Sequence, residues 1–156
     1  MGYDIYIGEA RMQPADPADG DEARINVVVD DMTLPEAPEF PGDSATGRSN
    51  YRCPSYGAWA EFERETGLCD MFLNEETGLM RDHPGCFPLN PGHLAKIEKA
   101  LADWETKMPP GTIPGHDPTH DMWSPKYNYN WARLLWLQFW VKWALDNCKN
   151  PAIYNH

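Results

Sequence analysis

The segment that decides the fold is residues 127–147, which read YNYNWARLLWLQFWVKWALDN. On a helical wheel its apolar side chains fill an arc of roughly 240°, much wider than the apolar stripe of an ordinary surface helix. Gln138, Lys142 and Asp146 share the remaining face, where Lys142 and Asp146 stand one turn apart and can pair. We therefore expect a helix over 128–147 that the rest of the chain covers on most sides.

Arg133 is the exception on this helix, because it projects into the aromatic arc near Trp136. A cation in such surroundings needs a carboxylate partner, an aromatic face or a ligand. The alternative is an arginine whose charged head reaches solvent while its stem packs on Trp136. The sequence leaves both interpretations open.

Two segments with alternating apolar residues predict strands, at 3–7 and 25–29. We expect them to form an antiparallel pair. Two strands are marginal in water, so the sheet must lie on helices, and a third strand in 68–90 is one option. Short helical turns are the other option for 68–90, and the sequence does not decide between them.

Two further helices are indicated by their capping residues. Ser55 is a suitable N-cap for a helix that Gly67 ends, and Glu61, Glu63 and Glu65 make much of its surface acidic. The next helix has Asn90 as its cap, Pro91 at its first position and an apolar stripe that should pack against the aromatic helix.

These elements predict an α+β fold. We expect residues 1–156 to form a single compact domain, with a small antiparallel sheet packed against about three helices and the aromatic-rich C-terminal helix central to the core. Long irregular loops are expected at about 30–54 and 109–126, where prolines and glycines replace any sustained periodicity.

The composition excludes several classes of protein. A net charge of −11 opposes binding to nucleic acid or to anionic membranes, since both would be repelled. We see no secretory signal, and charges interrupt the apolar run of 127–147, so no membrane span is expected. The prediction is a cytoplasmic protein, and a homo-oligomer is left open.

The segment 42–49 has the spacing of a phosphate-binding P-loop, with Arg48 in place of the lysine. Flanking prolines contradict the strand and helix that a true P-loop joins. A looser anion-binding loop survives, since hydrogen-bond donors are dense here and the start of the Ser55 helix adds free amides. The predicted ligand-binding residues are Arg48, Ser49, Asn50, Arg52 and Ser55, with Arg133 and Trp136 from the central helix. The alternative is that the loop arginines pair with the surplus carboxylates.

A candidate metal site lies in the second loop. His116, Asp117, His120 and Asp121 offer two imidazoles and two carboxylates within six residues, a set that suits a divalent metal. Pro118 opposes the helix that would make the two histidines converge, so an Asp-Pro turn with histidines facing solvent is the alternative.

Four segments resemble uncharacterised small proteins encoded by bacteriophages and prophages: residues 1–7, 51–59, 83–89 and 150–155. The resemblance implies expression inside a bacterial host cell, and it implies no catalytic residues. It favours an accessory protein that binds a host factor or a signalling nucleotide.

No motif of an established catalytic class is present, so the sequence gives no positive signal for an enzyme and no cofactor. The leading prediction is a non-enzymatic binding protein whose partner is an anionic, nucleotide-like small molecule. One alternative is an acidic surface, from Asp16 to Glu22 together with Glu61, Glu63 and Glu65, that binds and inhibits a basic host protein. The other is a metal-dependent hydrolase that uses the His116/His120 loop.

Overall fold

The aromatic segment forms the helix that the sequence predicts. In the computed structural model it runs over Tyr129–Asn147, and the Asn128 side chain caps it by accepting a hydrogen bond from Trp131 N. Trp140 is fully buried, whereas Lys142 and Asp146 are exposed and form an ion pair of 2.9 Å. The expected solvent face and core face of this helix are therefore confirmed.

The structure describes residues 1–13, 26–38, 47–115 and 124–156. The elements within these residues form an α+β fold, as expected. In chain order they are β1 (Asp4–Gln13), β2 (Asn26–Val29), β3 (Asn50–Arg52), α1 (Tyr56–Thr66), α2 (Cys69–Leu73), β4 (Gly85–Pro88), α3 (Pro91–Glu105), β5 (Ile113–Pro114), β6 (Tyr127–Asn128), α4 (Tyr129–Asn147) and β7 (Pro151–Asn155).

The main sheet is antiparallel and is built around β1. One edge of β1 pairs with β3 through its first residues and with β2 through its last, whereas the other edge pairs with β7, which in turn pairs with β4. The antiparallel pairing of β1 with β2 is confirmed. The paired residues of β1 run from Ala10, opposite Val29, to Gln13, opposite Asn26. They follow the predicted strand at 3–7, because β1 continues beyond the alternating segment.

Two strands of the sheet were not predicted. β3 lies inside the expected irregular loop at 30–54, and it is too short for its three residues to show an alternation. β7 forms because β1 and β4 flank it on both sides, which the local sequence does not reveal. The expected loop at about 30–54 is therefore wrong for 50–52.

The core face of the sheet carries fully buried aliphatic side chains. Ile5 and Ile7 of β1 and Ile153 of β7 have no exposed surface, and Phe87 of β4 is also buried. They belong to one apolar cluster with Trp136, Leu137 and Trp140 of α4. The helix thus covers this face of the sheet, and α3 packs on α4 as its period predicts.

Capping residues begin α3 and end α1 as expected. α3 begins with a capping box, in which Asn90 and His93 exchange side-chain to backbone hydrogen bonds. α1 ends at Gly67, whose positive φ of 75° suits a residue without a Cβ. The sequence left open whether 68–90 forms short helical turns or a third strand. The structure has both there, the five-residue helix α2 and the strand β4.

The expected loop at 109–126 is closed by a short parallel ladder. Ile113 pairs with Tyr127 and Pro114 pairs with Asn128. Residues 116–123 lie outside the described part of the chain. Among the described helices, none has both the length and the apolar character that crossing a membrane requires.

The N-cap of α1 gives a direct test of this part of the fold. The Ser55 hydroxyl accepts a hydrogen bond of 3.1 Å from Ala58 N. We expect Ser55→Ala to lower the free energy of unfolding by about 1 kcal/mol, the usual effect of losing such a cap. Ser55→Asp keeps the acceptor and should restore the stability. Chemical denaturation of the three proteins measures both values, and equal stabilities of the Ala and Asp variants would contradict the capping role.

Candidate functional site

Arg48 of the predicted anion-binding loop is engaged within the protein. Its guanidinium forms an ion pair with Asp31, and its carbonyl oxygen accepts a hydrogen bond of 2.9 Å from Trp136 Nε1. Trp136 is 2 % exposed, so its indole ring packs in the core. For Arg48, the structure therefore shows the alternative, in which the arginine pairs with a carboxylate.

Ser49 and Ser55 also have structural roles. Ser49 is fully buried, and its Oγ accepts a hydrogen bond of 2.8 Å from Met32 N. Its backbone N–H donates to the Met32 carbonyl, which holds 47–50 against the segment that follows β2. Ser55 caps α1. Neither hydroxyl is turned toward a ligand in this arrangement.

Arg133 is buried, so the alternative in which its head reaches solvent is wrong. Its Nε donates to the Tyr51 hydroxyl at 2.9 Å, and its Nη1 donates to Asn130 Oδ1 at 2.7 Å. Its guanidinium carbon also lies 5.7 Å from the ring centroids of Tyr51 and Tyr129 and 5.9 Å from that of Phe62. Burial raises the pKa of Tyr51, and the Arg133 charge opposes that shift. Aromatic faces and neutral acceptors therefore hold this cation.

The predicted residues are split between the two faces of β3. Tyr51 points to the core, where it contacts Arg133 and Trp136, whose ring centroid is 5.8 Å away. Asn50 and Arg52 flank it and point to the opposite face, as the two-residue period of a strand requires. The structure brings Arg133, Trp136 and the Arg48 carbonyl to the core side and separates the Arg52 and Asn50 side chains from them.

The predicted metal residues, His116, Asp117, His120 and Asp121, all lie outside the described residues. Within 1–13, 26–38, 47–115 and 124–156, no three His, Cys, Asp or Glu side chains cluster as metal ligands do. The hydrolase alternative and its divalent metal stay predictions.

The outer face of the sheet, which α4 does not cover, carries a group of aromatic and polar side chains. The strand register places them in two rows. One row runs Arg52, Asp4, His156, and the other runs Asn50, Tyr6, Tyr154, Cys86. We call this group the aromatic platform.

Three rings of the aromatic platform contact one another. The Tyr6 and His156 rings stack with centroids 5.6 Å apart and planes 18° apart, and His156 stacks on Tyr154 at 5.3 Å and 28°. Tyr6 and Tyr154 are partly exposed and His156 is exposed. Partial burial raises the pKa of Tyr154, so its hydroxyl stays protonated near neutral pH. The rings form a surface on which a flat molecule can stack.

Two polar groups border these rings. The Arg52 side chain is 67 % exposed, and its Nε is 3.9 Å from Asp4 Oδ1, which makes a loose surface ion pair. Asn50 Oδ1 is buried and accepts no hydrogen bond from the part of the chain that the structure describes. Sequence reasoning selected Arg52 and Asn50 but missed the rings, because Tyr154 and His156 lie in or next to the unpredicted strand β7.

Glu63 of α1 corrects the prediction of an acidic helix surface. Glu61 and Glu65 are exposed, but Glu63 is 1 % exposed. It lies on the buried face of α1 together with Trp59 and Phe62. Within the described residues neither of its carboxyl oxygens makes a hydrogen bond of normal geometry, nor does the neighbouring Trp59 Nε1–H. Desolvation therefore raises the pKa of Glu63 to about 7, and the nearby Trp59 indole offsets only part of the shift. The acidic patch of the inhibitor alternative thus loses one member, and its 16–22 segment lies outside the described residues.

Comparisons with known proteins do not assign a family to this chain. No family model matches it, and neither the curated proteins nor the solved structures gave a match. The functional argument therefore rests on the geometry of the described residues.

The buried Glu63 carboxyl should make the stability depend on pH. Its pKa is raised from 4.5 to about 7 in the folded state, so the folded protein holds the proton more tightly than the unfolded chain. Stability is therefore lost as the pH rises from about 4.5 to about 7, by about 3 kcal/mol from this one group. We expect Glu63→Gln to unfold at higher denaturant concentration than the wild type at pH 8 and to differ little at pH 4.

The matched control is Glu61→Gln, which removes an exposed carboxylate from the same helix. Its free energy of unfolding should stay within about 0.5 kcal/mol of the wild type at both pH values. Denaturation curves at pH 4 and pH 8 give the comparison. If Glu63→Gln has the same pH dependence as the wild type, folding does not raise the Glu63 pKa and the prediction is wrong.

Proposed function

We propose that this chain is a non-enzymatic binding protein for an anionic, nucleotide-like small molecule, and that the aromatic platform on the outer face of the sheet holds it. The observation that carries the proposal is the stack of Tyr6, His156 and Tyr154 on a face that α4 leaves open, with the exposed Arg52 beside it.

The rings suit the flat base of such a ligand. Stacking of a base on an aromatic side chain contributes about 1–3 kcal/mol, and it needs no particular pattern of hydrogen bonds. Tyr6 and Tyr154 stand opposite each other on paired antiparallel strands, so the ladder of β1 and β7 fixes their separation. A surface held rigid in this way loses little conformational entropy when a ligand binds.

Arg52 supplies the charge that a phosphate requires. Its guanidinium donates no hydrogen bond to any described residue, and its loose pairing with Asp4 competes only weakly for it. Arg48, in contrast, is already held by Asp31. We therefore propose that Arg52 binds the phosphate end of the ligand.

The net charge of −11 limits the size of the anion. Exposed charges are largely screened beyond about 8 Å at physiological ionic strength, so a mononucleotide at Arg52 meets mainly its immediate neighbours. A long nucleic acid would add phosphates along the acidic surface, and the repulsion would grow with each of them. The proposal is therefore a mononucleotide rather than an RNA or DNA strand.

The test is calorimetric titration of the protein with the common nucleoside monophosphates and with the matching uncharged nucleosides. Arg52→Gln should weaken the binding of the monophosphate by roughly tenfold or more, since a charge-assisted hydrogen bond contributes about 1.5–3 kcal/mol. It should leave the binding of the nucleoside unchanged. Tyr6→Val should weaken both by roughly fivefold to a hundredfold, because both ligands stack.

Two control variants separate this site from other arginines. Arg64→Gln removes an exposed arginine of α1, and Arg48→Gln removes the arginine of the P-loop-like segment. Neither should change the affinity. If Arg48→Gln weakens binding and Arg52→Gln does not, the site is the loop and the platform assignment is wrong. If no monophosphate binds the wild type, the nucleotide proposal fails.

A further inference from the structure

A second cluster of functional side chains lies at the other side of the sheet, outside the aromatic platform. It consists of Tyr56 at the start of α1, His83 in the turn before β4 and Asn155 at the end of β7. His83 Nδ1 lies 2.8 Å from Asn155 Oδ1, and His83 Nε2 lies 3.2 Å from the Tyr56 hydroxyl. The three groups form a hydrogen-bonded chain that runs from the buried interior to solvent.

The buried end of this chain fixes the tautomer of the imidazole. Asn155 is fully buried, and its Nδ2 donates to the carbonyl oxygens of Asp82 and Gly85 at 3.2 and 3.3 Å. The amide oxygen must therefore be the atom that faces His83, and it can only accept. The proton of neutral His83 thus lies on Nδ1, which leaves a lone pair on Nε2.

That lone pair accepts the hydrogen bond of the Tyr56 hydroxyl. Tyr56 is 37 % exposed and His83 is also exposed, so the pair lies at the protein surface. The Tyr3 ring backs both side chains, with centroids 4.7 Å from Tyr56 and 5.1 Å from His83. Packing on one side and a hydrogen bond on the other hold the pair in place.

We propose that Tyr56 is a nucleophile assisted by His83 as its general base, with Asn155 as the positioning residue, and that it accepts an acyl group from an activated ester. The arrangement has the parts of a nucleophile, base and orienting group.

The step balances without any further reagent. Tyr56 Oη forms a bond to the carbonyl carbon of the ester while its proton passes to His83 Nε2. The bond between that carbon and the leaving oxygen then breaks, and His83 returns the proton to the leaving group. The products are a tyrosyl ester and a free alcohol.

The charges near the cluster favour a neutral acyl group over a phosphoryl group. Asp82 precedes His83 in the chain and is exposed. A phosphoryl dianion would be repelled by this acidic side, whereas an uncharged ester would not.

The experiment treats the full chain with p-nitrophenyl acetate, follows nitrophenolate release and maps the acetyl group by peptide mass spectrometry. We expect one acetyl group on Tyr56, formed faster than on the control residue Tyr127. Tyr56→Phe should remove it. His83→Gln should slow the acetylation of Tyr56 by roughly a hundredfold or more, the usual contribution of a general base.

The pH profile separates a chemical role from a structural one. In the wild type the rate should rise with pH until the base is free to accept a proton and then level off, whereas the His83→Gln rate should show no such plateau. Tyr3 and Tyr56 are the titratable side chains that face the ring, with Glu63 beyond Tyr3. Asn155→Ser should lower the plateau rate and keep the plateau in the pH profile.

The result that overturns the proposal is acetylation of Tyr56 at the rate of Tyr127, or at an unchanged rate in His83→Gln. Thermal unfolding of each variant, followed by circular dichroism, shows that it is folded. If Asn155→Ser is unfolded, the comparison of the wild type with His83→Gln still decides the question.

Discussion

The fold depends on the burial of α4, because a helix with apolar side chains over so wide an arc is stable in water only when other elements enclose it. The sheet lies on one side of α4, and α3 lies on another. Trp140 contributes a fully buried ring that meets Phe139 and Trp143 edge to face, at 5.2 and 5.5 Å. The Trp140 Nε1–H is buried without a hydrogen-bond partner in the described chain. Apolar packing around this ring therefore outweighs the cost of an unpaired donor.

The strand β3 links this core to the outer face of the sheet. Tyr51 points inward, accepts the hydrogen bond of Arg133 and thereby provides one of the groups that make a buried cation tolerable. Arg52 and Asn50 point outward beside the rings of the platform. Residues 50–52 thus contribute side chains to both faces of the sheet. Substitution of Tyr51 would disturb the core, whereas substitution of Arg52 would not.

Polar groups inside the protein differ in how well they are satisfied. Arg133 and Asn155 each make more than one hydrogen bond, and each fixes the geometry of its neighbours. Glu63 makes none in the described residues, so it is most stable when it is protonated. The proximity of Glu63 to Tyr3, which in turn contacts Tyr56 and His83, places this acid behind the proposed nucleophile.

The sequence by itself determined the elements whose signals are local. The wide apolar arc predicts α4, Ser55 and Asn90 predict the starts of α1 and α3, and the alternation at 3–7 predicts β1, since each pattern depends on residues close together in the chain. Only the tertiary structure decided which strands pair and which side chains contact one another. It placed β7 between β1 and β4, paired Arg48 with Asp31 and buried Glu63. It also joined Tyr56 to His83, 27 residues away in the chain, and His83 to Asn155, 72 residues away. These contacts join segments that are far apart in the chain, so no local periodicity or motif spacing in the sequence predicts them.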